Sequence, residues 1–387
     1  MAIWAKQPIF SRAVHARLCR LLLFFIAAAA SFNGYYDKHH LMDSIAINGV
    51  QQFHARNTFA SMLDGSAERP FVYRRLLPDL ANWIDRQIPP RLHGQIYNAR
   101  THSGDLLINR FWSAPLARDR QYFLRYRLVY FLVFLFAWIA ACAFFHLGKA
   151  AGFNRVESSL AAVSMLLIFP YFLEFAGYFY DYPELAFFVL ALVVALRGKT
   201  LLLIPLAALA TWNKESFLFF LPTLYPLMRR RASRRGALSA LLPPILVSLA
   251  INLAIHHQYR HNPGLSVEVH LAEQIRDLPN FFHLLPLSQT YGIPLPRTEN
   301  ILWLLLMAAT WAWGRPLLAP ALRQHLLLAL TINLPLFLVL GYPSEIRGMS
   351  MLCPALFLLL CALIRQHNNG PCEHPTQARK ASEVFQE

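Results

Sequence analysis

Acidic residues are scarce in this chain: 21 Asp and Glu face 36 Lys and Arg, and charged residues of both signs fill only 15% of 387 positions. So thin a charged surface excludes an ordinary soluble domain, in which about a quarter of residues are charged. Cysteine is scarce too. Cys142, Cys353 and Cys361 fall in apolar runs, Cys19 begins the first of them, and Cys372 lies in the tail. No CxxC or His/Cys spacing marks zinc and no even extracellular set marks a disulfide framework, so the cysteines read as small hydrophobes. The His39-His40 and His256-His257 pairs lack ligand spacing on a common face, which argues against a metal there. Also absent are a glycine-rich phosphate loop, GxSxG, HExxH and a Walker motif. A nucleotide-driven pump and a serine hydrolase are disfavoured accordingly.

What the chain has is apolar length. Hydrophobic residues make up 56% of it and mean hydropathy is +0.36, which places it among all-α, polytopic membrane proteins. The net charge is +15, with arginine greatly outnumbering lysine. Much of that excess sits in short turns, where it sets orientation, and the rest sits in the first large loop, where it meets anionic lipid head groups or phosphates. Because the basic residues are divided among membrane-proximal loops, a nucleic-acid partner is excluded.

The stretch 200–228 lies between two basic clusters, Arg197-Gly198-Lys199 and Arg229-Arg230-Arg231 with Arg234-Arg235. Both should face the cytoplasm. Two full crossings of a hydrocarbon core roughly 30 Å thick need about 40 residues, more than are present. The spacing therefore predicts a short helical hairpin turning at Trp212-Asn213-Lys214-Glu215-Ser216, its arms broken or kinked at Pro205, Pro222 and Pro226. Lys214 and Glu215 at that depth either line a polar cavity or form an ion pair at a helix end.

Around this hairpin the chain divides as follows. Residues 1–32 hold a basic segment and a first apolar run, Leu21–Phe32, read as an uncleaved anchor in preference to a secretory signal cut near Ala28-Ala29-Ala30. Residues 33–122 form a large outer loop with helical spacing over Ile45–Leu63 and Leu76–Ile88, expected as amphipathic helices lying on the outer membrane face. Residues 123–364 form a multi-helix transmembrane domain, with a second outer loop at 256–299 and a short helix near Val267–Ile275. Residues 365–387 are a polar cytoplasmic tail. About ten hydrophobic helices result, hairpin arms included, with both termini in the cytoplasm. The aromatics around Tyr178, Tyr180 and Tyr182 read as an interface belt.

This topology collects ionisable residues at the outer membrane edge: Asp37 and Asp43 after the first span, Arg74 and Arg75 in the loop, and Glu174, Asp181 and Glu184 at the third turn. Lys214 and Glu215 occupy the hairpin, and Glu345 with Arg347 begins the last span. Carboxylates beside cations at that depth suit a reaction between a lipid-linked phosphate and a polar acceptor, with arginine gripping phosphate bidentately and a carboxylate taking a hydroxyl proton. Each residue has a plainer reading. Asp37, Asp43 and Asp181 fit helix caps, Arg74 and Arg75 fit partners of Asp79 or lipid phosphate, and Glu345 with Arg347 fits a local surface pair.

The run FAGYFYDYPELAFFVLALVVALRGK followed by LAALATWNKESFLFFLP resembles the GT-C superfamily of integral-membrane glycosyltransferases. Bacterial members have a Tyr-Asp at the start of a span ahead of an Asn-Arg/Lys-Glu turn. RPFVYRRLLPDL and SEIRGMSMLCP are similar to segments of the same proteins. The resemblance covers most of residues 20–365 and implies a polyprenyl-phosphate sugar donor and an inverting hexosyl transfer on the outer face of the bacterial inner membrane. It implies an acidic base in the first loop, here Asp37 or Asp43, with Arg74, Arg75, Asp181, Glu184, Lys214, Glu215, Glu345 and Arg347 as substrate-binding residues. The paired acidic motifs (DxD, DD, ExD) of better-known members do not occur in that loop, so no motif marks ligands for a divalent metal. The partners expected are membrane lipid and the lipid-linked sugar donor. The competing readings are a transporter or flippase of a lipid-linked or anionic solute, and a non-catalytic membrane assembly protein.

Overall fold

The first helix, α1 (Arg12–Tyr36), runs unbroken from the basic N-terminal segment through the apolar run to the start of the first loop. The structure, a computed structural model, describes residues 12–36, 45–47, 50–52, 58–102, 107, 111, 114–173, 177–277, 279, 282, 287–297, 300–342 and 345–368. The first loop holds a two-stranded antiparallel hairpin, β1 (Ile45–Ile47) and β2 (Val50–Gln52), then α2 (Phe59–Asp64), α3 (Leu76–Gln87) and α4 (Pro90–His102). The helix expected over Ile45–Leu63 is thus a strand pair and one short helix. Ile47 pairs with Val50, and the intervening sequence is Asn-Gly, the dipeptide that two-residue hairpin turns favour. α3 matches its expected bounds. It does not lie free on a membrane face: Leu76, Leu77, Pro78 and Ala81 are buried against α5 (Phe123–Ala150) and α8 (Leu203–Asn213).

Between those two helices come α6 (Arg155–Ile168) and α7 (Asp181–Leu196). α9 (Ser216–Phe220), α10 (Tyr225–Met228) and α11 (Arg234–Gln258) follow. The second loop carries α12 (Leu271–Asp277), a few residues beyond its expected position, and a second antiparallel pair, β3 (Leu287–Thr290) and β4 (Ile293–Pro296). The chain closes with α13 (Ile301–Gly314), α14 (Pro320–Leu340) and α15 (Cys353–Asn368).

Local chemistry sets several boundaries. Asn154 and Glu157 form a reciprocal capping box at the start of α6, Ser233 caps α11, and Gly65 closes α2 in the left-handed region at φ 75°.

Among the described residues six helices are long and apolar enough to cross a membrane: Val14–Tyr35, Phe123–Ala150, Arg155–Phe172, Arg234–Gln258, Pro320–Leu340 and Ile346–Asn368. The chain is an all-α, multi-pass membrane protein. The remaining apolar segments fall short of that length, including both hairpin arms and α13. α7 belongs to the core: nearly every residue from Asp181 to Leu196 is buried, as fits a helix that is apolar on nearly all sides. It packs on α5, which also holds α6 and α1. Helices approach closely there; a Cβ at Gly148 of α5 would sit 2.5 Å from the Ser158 hydroxyl of α6.

Two ends of the bundle can be told apart by their contacts. At one, Arg365 of α15 pairs with Glu157 at 3.1 Å, and Arg231 donates to the Arg197 carbonyl at 3.2 Å. At the other, Lys214 meets Glu184 of α7 at 2.9 Å. The stretch 200–228 leaves the first end, turns at Lys214 and returns, as the hairpin expectation required.

Candidate functional site

Three breaks in the chain build the site. α7 starts at Asp181 with both Asp181 and Glu184 in its first turn, where the helix dipole favours negative charge. α8 stops at Asn213 and α9 starts at Ser216, with Lys214 extended at φ −163°, ψ 138° between them. A 3-10 turn over Ile346–Leu352 carries Arg347. Arg74 comes from the first loop, directly after a 3-10 turn at Phe71–Tyr73.

These pieces meet around Tyr180. The Lys214 ammonium lies 5.3 Å from the centre of its ring, the Arg74 guanidinium 5.6 Å and the Arg347 guanidinium 5.7 Å. Each cation also has a carboxylate. Lys214 pairs with Glu184, whose other oxygen accepts from the Ser216 hydroxyl. Arg74 pairs with Glu215 at 2.8 Å. Arg347 reaches Asp181 at 3.3 Å and Glu345 through its Nε at 2.8 Å, and lies 4.2 Å over the Tyr178 ring. The neighbours Lys214 and Glu215 therefore take partners from other elements, which corrects the helix-end pair as a reading. Asp181 and Glu184 are each 3% exposed, and carboxylates at that depth persist only when paired or hydrogen-bonded. Asp181 also accepts from the Tyr178 N–H at 2.6 Å.

Electrostatics keep the loop-facing pair ionised. Burial disfavours the Arg74 charge, but Glu215 and Tyr180 outweigh it, so its pKa lies above the ordinary guanidinium value. Burial pushes Glu215 up, yet Arg74, a backbone hydrogen bond and Lys214 together hold it below the usual carboxylate range. Burial raises the Tyr178 phenol above its ordinary value. Among the described residues no group of three His, Cys, Asp or Glu side chains is arranged to hold a metal ion.

Beside the cluster lies a cavity of about 450 Å³. Its walls are apolar, with Phe172, Met307, Trp311, Leu338, Leu356 and Leu359 among them, and Asp181, Glu184, Arg347 and Ser350 also line it. α13 forms one wall, and the other side of that helix is open, with Leu302, Leu305 and Leu306 more than half exposed.

Of the residues expected from the sequence, Arg74, Asp181, Glu184, Lys214, Glu215, Glu345 and Arg347 come together. Arg75 does not join them. It is buried, bonds Asp79 through Nε at 3.1 Å and donates to the Met62 carbonyl. Its plainer reading, a partner of Asp79 that fixes the loop, is the one realised. Asp37, Asp43 and Glu174 lie outside the described residues. The tyrosines expected as an interface belt are interior: Tyr180 and Tyr182 are buried, and the Tyr182 hydroxyl lies 2.6 Å from that of Ser31. The sequence reading missed Tyr180 as the shared wall, Ser216 as a partner of Glu184, and Tyr73 stacked on His256 with centroids 4.0 Å apart. Tyrosine on both sides of a membrane-edge carboxylate was the available signal.

No family model, no curated protein and no solved structure matches this chain.

Proposed function

We propose that this chain is a membrane glycosyltransferase that moves a sugar from a polyprenyl-phosphate donor to a hydroxyl acceptor in envelope glycan or lipid assembly. The supporting observation is the junction of an apolar cavity with Arg347, Asp181 and Glu184. Such a cavity suits a single isoprenoid chain, and a cation at its polar side suits the phosphate that follows the chain. An incoming phosphate competes with Asp181 and Glu345 for the Arg347 guanidinium. Lys214, paired with the cavity-lining Glu184, is a second cation behind that carboxylate.

The hydroxyl oxygen of the acceptor attacks the anomeric carbon as the carbon–oxygen bond to phosphate breaks. Polyprenyl phosphate leaves with the electron pair, and the hydroxyl proton passes to a carboxylate. Asp37 or Asp43 takes that proton in this proposal. In this proposal the charged end of the bundle faces outward from a bacterial inner membrane, two of the ten apolar segments are the short hairpin arms that turn back at Lys214, and the arginine-rich end with both termini lies in the cytoplasm.

The transporter reading draws no comparable support. A solute path needs polar groups running from end to end, whereas the cavity walls away from the cluster are apolar.

The test uses the purified full chain in lipid nanodiscs with radiolabelled polyprenyl-phosphate sugars and an envelope lipid extract as acceptor. Sugar transfer is expected from at least one donor, with loss in Arg347→Ala and in Asp37→Asn or Asp43→Asn. Absence of transfer from every donor, or full turnover in all three variants, overturns the proposal. Movement of intact donor across a liposome membrane would favour the transporter.

A further inference from the structure

A second group of side chains lies next to the Tyr180 cluster, outside the cavity lining. It comprises Tyr73, Arg74, Glu215 and His256, none of which lines that cavity. The Tyr73 and His256 rings are stacked at 4.0 Å, Arg74 and Glu215 are paired at 2.8 Å, and His256 lies within electrostatic reach of Glu215. Three buried polar atoms here have no hydrogen-bond partner: the Tyr73 hydroxyl, Arg74 Nε and Glu215 Oε2. Tyr73 is only 4% exposed, while the Glu215 side chain is 31% exposed, so the group is reachable from one side. Buried polar atoms without partners carry a cost that a ligand or an ordered water can remove.

The geometry points to a binding site for a neutral, hydroxylated ligand. Arg74 and Glu215 already neutralise each other, so neither a free anion nor a free cation is selected. What remains unpaired is one acceptor (Glu215 Oε2), one donor (Arg74 Nε) and one hydroxyl that does both (Tyr73), a set that matches adjacent sugar hydroxyls. The partly exposed His256 ring, backed by the buried Tyr73 ring, is the flat surface available to the carbon-bound face of such a ring. Under the glycosyl-transfer proposal, on which this assignment rests, the ligand is the carbohydrate part of the acceptor. Tyr180 then lies between the two assignments in chemistry, its ring centre 5.6 Å from the Arg74 guanidinium and 5.7 Å from that of Arg347.

The full chain in nanodiscs is titrated with a panel of methyl glycosides, read by saturation-transfer NMR, and separately with polyprenyl phosphate, read by native mass spectrometry. At least one glycoside binds the parent. Tyr73→Phe, which removes one oxygen and keeps the ring stack, weakens that binding roughly tenfold, as does Glu215→Gln. Arg347→Ala keeps glycoside binding and loses polyprenyl phosphate. No glycoside binding to the folded parent means that the group holds only water, and the site is overturned. Binding that both Tyr73→Phe and Glu215→Gln leave unchanged overturns it equally. If polyprenyl phosphate still binds in either case, the donor proposal survives alone; if glycosides bind and polyprenyl phosphate does not, the donor proposal fails instead.

Discussion

Replacing Lys214 with Met removes the cation that ties the hairpin turn to α7. The Lys214 side chain is 15% exposed and that of Glu184 is 3%, with 2.9 Å between ammonium and carboxylate. At an effective dielectric of about 20, Coulomb's law bounds the attraction at this separation near 6 kcal/mol. Desolvation of both ions offsets much of that, so the pair itself contributes far less. The single substitution is nevertheless severe, because the buried Glu184 would be left with Ser216 as its remaining side-chain hydrogen-bond donor. Stranding a buried partner costs about 3–5 kcal/mol. Lys214→Met with Glu184→Gln is expected to recover most of the loss, since the glutamine is uncharged and still accepts from Ser216. The coupling between the two sites should reach about 2–3 kcal/mol. The assay is reversible unfolding of the protein in mixed micelles, with both singles and the double compared to the parent. A double variant as unstable as the sum of the singles would refute the pairing and, with it, the docking of the hairpin on α7.

Two further predictions concern charge and sidedness. Glu215 has a depressed pKa in the folded protein, so its contribution to stability is fully present above the unfolded value of about 4.3 and is lost as pH falls through the folded value. Stability is expected to be flat in this contribution from pH 5 to 8 and to fall in stronger acid. Glu215→Gln should flatten that acid limb in a pH series of unfolding midpoints. Ala232→Cys, between the arginines at the hairpin's exit, should react with a membrane-impermeant thiol reagent only after the cells are opened. Labelling of intact cells would invert the proposed orientation.

The sequence made the fold class legible because apolar length is a one-dimensional property. The hairpin was legible too, since two basic clusters separated by fewer residues than two crossings require leave little choice. Strand pairs were hidden for a physical reason: Ile45 to Gln52 alternates too briefly to separate from a helical pattern, and the Asn-Gly dipeptide is the one sequence signal of a hairpin there. Arg74, Asp181, Glu184, Lys214, Glu215, Glu345 and Arg347 gathered as expected, yet their pairing was not legible. Lys214 and Glu215 are neighbours in sequence, but side chains at successive positions around an extended residue diverge, so each found a partner from a distant element. Arg74 and Arg75 diverged in the same way, one toward Tyr180 and one toward Asp79. Tyr180 was obscured by composition, because a tyrosine near a membrane edge has the same sequence signature whether it meets head groups or fills the protein's interior.

In the proposed donor complex, one apolar cavity holds the lipid chain with its phosphate at Arg347. Photocrosslinking tests it most directly, using a polyprenyl phosphate that carries a diazirine in its chain and mapping the labelled peptides by mass spectrometry. Adducts are expected on the cavity walls, in the α13 segment around Met307 and the α15 segment around Leu356. Arg347→Ala should reduce them at least severalfold, and excess unlabelled polyprenyl phosphate should abolish them. Adducts spread over the outward leucines of α11, indifferent to Arg347 and to competitor, would contradict the account.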